Sequence, residues 1–152
     1  MKRYPLIAIS ILVICIFVGC KPTPPQIVGK WSGHSQLSSQ ISSTPGSTHM
    51  QSAKSVPVQV TLIMSQNGTG VTGDAAVVIN AGPPVHLPIT GGVIDKDGKL
   101  SLEADRSGFS NVHLSFAGKI ANGQISGDLA LKMDTLVGIA ENKGSITFTP
   151  TS

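Results

Sequence analysis

From Val56 onward the chain alternates apolar and polar residues with a period of two. Val58, Val60, Leu62 and Met64 fall on one side, and Gln59, Thr61 and Ser65 on the other. Successive side chains of a strand point to opposite faces, so the pattern predicts a strand with one dry and one wet face. The pattern then repeats. Val71, Gly73, Ala75, Val77 and Ile79 form a second inward set, Val85, Leu87 and Ile89 a third, and Leu100, Leu102 and Ala104 a fourth. Val112, Leu114 and Phe116 follow, then Ile125, Gly127, Leu129, Leu131 and Met133, then Ile146 and Phe148. Turn residues separate the sets: Asn67-Gly68, Ala81-Gly82-Pro83-Pro84, Asp97-Gly98, Arg106-Ser107-Gly108 and Asn122-Gly123. Asn-Gly is the strongest of these because both positions tolerate positive φ. Ile27 to His34 adds a first strand ahead of the series.

No segment carries a sustained helical period, and Asp134 to Asn142 fits either a turn of helix or a loose strand. About eight antiparallel strands in a meander close most simply on themselves, since closure removes both exposed edges. The expected fold over residues 27–150 is therefore all-β, a single antiparallel up-and-down barrel, with a β-sandwich as the alternative. Ser35 to Ser55 breaks the pattern. It is rich in Ser, Thr and Gln, has Pro45-Gly46 at its centre and offers little to bury, which predicts a long mobile loop.

The N-terminus is organised differently. Lys2 and Arg3 precede an apolar run from Leu6 to Val18. Charge first and then an apolar stretch too short to span a bilayer is the layout of an export signal. A signal helix is expected over residues 1–19. Phe17-Val18-Gly19-Cys20 resembles the lipobox of bacterial lipoproteins, with Phe17 where Leu is usual. The resemblance implies that the Cys20 sulfur takes a diacylglyceryl group and that cleavage frees an amine for further acylation, with palmitate-type chains. It also implies sorting by the next residue. Lys21 is not the Asp of inner-membrane retention, so in a Gram-negative cell the outer membrane, facing the periplasm, is implied. Residues 20–26 then form a lipidated tether, and the prolines in Lys21-Pro22-Thr23-Pro24-Pro25 favour extended geometry.

Removing that signal changes the composition. Of 152 residues, a single domain's length remains. Cys15 leaves and Cys20 is acylated, which excludes disulfides, dithiol redox chemistry and a thiol nucleophile. Nine basic residues then face eight acidic ones, with no basic run and few aromatics, so nucleic acid is not an expected partner. One Trp and one Tyr, with Tyr4 in the signal, cannot form the aromatic girdles of a membrane-spanning barrel.

Gly29-Lys30-Trp31 resembles the G-x-W of calycin-type barrels, the lipocalins and their avidin-like relatives. The resemblance implies a Trp that closes one barrel end, where one large ring plugs an opening that aliphatic chains leave porous. The family's basic residue covering that Trp has Lys143 as its nearest candidate. The aromatic ring that avidin-like proteins use for biotin is absent, so the fold is carried over and a ligand is not.

Candidate sites are few. Trp31, Val60, Leu62, Ala75, Val77, Leu102, Leu114, Phe116, Leu129 and Phe148 face inward and would line any cavity. Gaps around Gly73, Ala75 and Gly127 would leave room for a small hydrophobe. His34, His49, His86 and His113 lack metal-ligand spacing; neighbouring positions on the wet face would be needed for His86 and His113 to share a metal. Asp95-Lys96-Asp97-Gly98 resembles a fragment of a calcium loop but lacks the later acidic ligands, and reads as a hairpin turn. Glu103 and Asp105 share a face without a sign of acid–base tuning. No nucleophile elbow or phosphate loop is present. The chain is thus expected to be no enzyme and to use no cofactor or metal. The expected role is a membrane-anchored envelope lipoprotein holding a small apolar ligand in its barrel. The alternative is a structural or interaction lipoprotein, a protease inhibitor included, acting through its surface or the 35–55 loop on an envelope protein.

Overall fold

A computed structural model describes residues 23–42, 54–108, 111–136 and 138–151. The expected signal helix and lipobox, Cys20, and residues 43–53 of the expected loop with His49 lie outside the described residues. Eight strands follow in chain order: β1 (Gly29–Ser42), β2 (Lys54–Asn67), β3 (Gly70–Ile79), β4 (Val85–Ile94), β5 (Lys99–Arg106), β6 (Val112–Ala121), β7 (Gln124–Thr135) and β8 (Gly138–Thr151). Each pairs antiparallel with the next, and β8 returns to β1 from Lys30↔Thr151 to Ser42↔Ile139. The protein is a closed up-and-down barrel, with no helix among the described residues. Closure leaves no strand edge unpaired, which matters for a chain this poor in charge.

The alternation sets the inside. On β2, Val56, Val58, Val60, Leu62 and Met64 are buried while Ser55, Pro57, Gln59, Ile63 and Ser65 are exposed. The buried side chains of all eight strands merge into one apolar cluster. Asn122-Gly123 makes the β6–β7 turn with φ of 52° and 73°, the two positive angles that match the twist of a hairpin.

Three expectations fail, each for a physical reason. The 35–55 stretch is not a loop at its start, because β1 runs on through Ser42 and β2 begins at Lys54. Ser38 pairs with Ser55 on one side and Lys143 on the other. Backbone pairing with two neighbours holds this part of β1 as far as Ser39, and Leu37 is the side chain there that joins the apolar core. The first strand also starts at Gly29, not at Ile27. Ile27 instead lies fully buried across the barrel end, before β1 begins. Gly73 does not face inward. It is exposed at φ +147°, beside the β3–β4 register shift between Gly70 and Gly73, and a Cβ there would meet the Ile63 carbonyl. The open question over residues 134–142 resolves as strand on both sides of a turn, closed by Thr135 Oγ1 donating to the Gly138 carbonyl at 2.7 Å.

The barrel has two unlike ends. At the tether end lie the β2–β3, β4–β5 and β6–β7 hairpins and the entry of residues 23–28. Here Trp31 is buried, and its indole Nε1 donates to the Ile27 carbonyl at 2.9 Å. The Ile27 N–H donates in turn to Gln66 Oε1 at 3.0 Å. Trp31 is thus packed at this end and holds the incoming chain through Ile27. At the distal end lie the β3–β4 turn, the last residues of β1 and the first of β2.

Candidate functional site

All ten inward candidates are buried, the most exposed being Trp31 at 6%. Phe116 and Phe148 meet edge to face, 5.4 Å between centroids at 81°, in the middle of the barrel. The two glycines expected to leave space do not. A side chain at Gly73 would strike the Ile63 carbonyl, and one at Gly127 would strike the backbone of Ala117 and Gly118. Crossing main chain already occupies both places. Space is found instead on the outside. A cleft of about 550 Å³ lies on the outer wall of β5–β8, rimmed by Glu103, Asp128 and Lys143 and floored by Ser115, Ala117 and Ala130.

Lys143 does not cover Trp31. It faces outward on β8 and its Nζ pairs with Glu141 Oε1 at 3.0 Å, while Trp31 lies opposite Pro150. His86 and His113 are also not neighbours, since they stand on β4 and β6 with β5 between them. Each is taken by a carboxylate. His86 Nδ1 lies 3.0 Å from Asp74 Oδ1. His113 Nδ1 lies 2.5 Å from Asp105 Oδ1 and its Nε2 3.1 Å from Glu103 Oε2. The second contact is close enough for charge attraction but misaligned for a hydrogen bond, and Glu103 Oε2 is left without one. Thr90 Oγ1 adds a 2.8 Å bond to Asp105 Oδ2. Both ring nitrogens of His113 are thus engaged, and no group of three metal ligands forms among the described residues. Asp95 makes the turn expected of it, its Oδ1 accepting from the N–H groups of Asp97 and Lys99, each at 2.9 Å.

The cluster bridges β4, β5 and β6 on the outer wall and has a consequence for pH. The Asp105 carboxyl is held below its ordinary 3.8, first by its hydrogen bond with His113 and then by that from Thr90. A carboxyl depressed in the folded state stabilises the fold above its unfolded value, and that contribution is lost as pH falls through the lower folded value. Asp105→Asn is therefore expected to flatten the fall of stability below about pH 4. Urea midpoints between pH 6 and 2 measure it. Glu141, lowered chiefly by its bond to Lys143, supplies the part of the acid loss that remains. Identical profiles for the variant and the parent protein would remove the cluster from acid stability.

Among the described residues, one breaks the apolar interior. Asn142, on β8 near the distal end, is 2% exposed, and its Nδ2 has no hydrogen-bond partner. Its cross-strand neighbours are Ser39 on β1 and Leu131 on β7. The alternation carries the signal for it, because Asn142 shares the parity of Ile146 and Phe148. No model of a known protein family matches the chain, and no curated protein matches it.

Proposed function

We propose that the chain is an envelope lipoprotein, anchored through acyl chains on Cys20, whose calycin-like barrel works from its outer surface on an envelope partner. The observation that carries this reading is the packed interior. The ten side chains that would line a ligand chamber are buried in one apolar cluster, which supports a partner surface on the wall, above all at the β5–β8 cleft. A barrel filled in this way is a rigid body, and the anchor holds it where its partner is. The lipobox residues Phe17 to Cys20 support the anchor. A second reading, a small ligand held at the distal mouth, draws on Asn142, because a buried amide without a partner costs about 1–3 kcal/mol unless something pairs with it.

One set of measurements tests both. The protein extracted from its native membrane in detergent is expected to have a mass above the polypeptide starting at Cys20 by the mass of two or three acyl chains. Cys20→Ala is expected to remove that increment and to release the domain from the membrane fraction. Native mass spectra of the extract are expected to show one stoichiometric protein partner. A bound mass of a few hundred daltons in its place would favour the second reading, and an unmodified Cys20 would end the anchoring account.

A further inference from the structure

We propose that the tether end of the barrel is itself a membrane contact, a collar of lysines and exposed aliphatic side chains that seats the protein on an anionic phospholipid surface. The inference deepens the anchoring reading, and its distance argument rests on acylation at Cys20.

Charge divides unevenly along the barrel axis. The described residues hold equal numbers of acids and bases. At the tether end, however, four lysines, Lys30, Lys96, Lys99 and Lys119, stand against two aspartates, Asp95 and Asp97. The wall and distal end hold four bases against six acids. Of those six, Asp74 is cross-strand from Ile63 and is already engaged by His86. All four tether-end lysines are exposed, and none is in an ion pair among the described residues, whereas Lys132 and Lys143 both pair with Glu141. Lys99 and Lys119 are direct cross-strand partners. Like charges placed opposite one another destabilise a sheet, so this arrangement is relieved when an anionic surface faces it.

Aliphatic groups stand among these cations. Val28 and Val93 are 58% and 56% exposed and lie in the outermost residues of the tether end, while Ile63, 56% exposed, lies four residues inside the β2–β3 turn, level with Asp74. Lys30 is the cross-strand partner of Ile63. Cations with long apolar stems interleaved with aliphatic side chains suit the boundary between headgroups and acyl chains. The distal end also exposes Leu136 and Ile139, but these sit between Asp134 and Glu141. Apolar exposure thus occurs at both ends, but at the distal end the bases near Ile139, Arg106 and Lys132, stand among Asp105, Asp134 and Glu141, whereas at the tether end the lysines outnumber the acids.

The tether fixes the distance. Thr23 and Pro25 lie against the turn at Lys96, Asp97 and Gly98. Two residues, Lys21 and Pro22, lie between Cys20 and Thr23, and the three Cα–Cα steps reach at most about 11 Å. Screening at physiological ionic strength acts over about 8 Å. An acylated Cys20 therefore holds the collar at the range where lysines respond to anionic lipid.

The test uses the acylated protein in vesicles of phosphatidylcholine, alone or with phosphatidylglycerol added. A fluorophore is attached to a single engineered thiol at Val93→Cys or at Leu136→Cys, and quenching by brominated lipid is read. The Val93 label is expected to be quenched several-fold more when phosphatidylglycerol is present. The combined substitution of Lys30, Lys96, Lys99 and Lys119 by Gln is expected to return it to the neutral-lipid level, and the Leu136 label is expected to stay unquenched. Quenching at Val93 that ignores phosphatidylglycerol, or that survives the four substitutions, overturns the inference. So does quenching at Leu136 instead.

The intact mass of the same sample separates the two claims. If it shows no acyl chain, the anchoring reading fails by itself, and the collar is then tested by sedimentation of the unacylated protein with phosphatidylglycerol vesicles. Partitioning at least about tenfold above that of the four-lysine variant supports the collar. Equal partitioning of the two overturns it.

Discussion

Trp31→Ala is expected to remove about 4 kcal/mol of folding stability, the largest loss of any single side-chain truncation in the barrel. Two effects add. The first is the cavity left by the one indole in the core, which the surrounding strands, fixed by closure, cannot collapse to fill. The second is the Ile27 carbonyl, which loses the 2.9 Å bond from Nε1 inside a dry barrel end. A buried acceptor stranded in this way costs about 1–3 kcal/mol, so Trp31→Phe, which keeps most of the volume, is expected to cost about 1–2 kcal/mol. Urea unfolding of the mature protein, with equal m-values, reads both. Should Trp31→Phe be as damaging as Trp31→Ala, the ring is chiefly a hydrogen-bond donor and its volume is unimportant. Should both be near neutral, Trp31 does not close the barrel. Folding stabilities of about 5–15 kcal/mol make a loss of about 4 kcal/mol visible in cells as lowered abundance.

The sequence announces some parts of this structure and conceals others, for reasons that trace to single residues. β2 is legible because each inward position from Val56 to Met64 is apolar and Gln59 and Thr61 between them are polar. β1 is legible only as far as His34. Beyond it Ser35 and Ser39 take inward parity, so a strand held by hydrogen bonds to two neighbours has the composition of a loop. The lysine collar needs the register. Lys99 and Lys119 are twenty residues apart in the chain and become neighbours only when β5 and β6 align. The same holds for the wall cluster. Glu103 and Asp105 share a face by spacing alone, but His113 joins them because Arg106↔Val112 sets the turn between the strands. Asn142 is legible by parity with Phe148, yet polar Glu141, Asn142 and Lys143 in succession hide the alternation.

Gly73 marks the limit of that reading most clearly, and Gly73→Ala is expected to cost about 3 kcal/mol. Period two assigns Gly73 to the interior beside Val71 and Ala75. Val71 and Ala75 keep the period and stay buried, so the exception is local to Gly73, beside the β3–β4 register shift, where only a residue without Cβ can take φ +147°. Left-handed strain alone amounts to about 1–3 kcal/mol. A methyl group at this site would also strike the Ile63 carbonyl, which is main chain and cannot rotate aside. Gly68→Ala separates the two contributions, because Gly68 has φ +61° but open space where a Cβ would stand. It is expected to cost about 1–2 kcal/mol, strain without collision. Thermal or urea midpoints of the two variants provide the comparison. Equal losses would mean that the backbone there shifts to clear the methyl group and that the β3–β4 register is soft. A larger loss at Gly73 would mean that this backbone is fixed, and with it the register that carries the inward set from β3 across to β4.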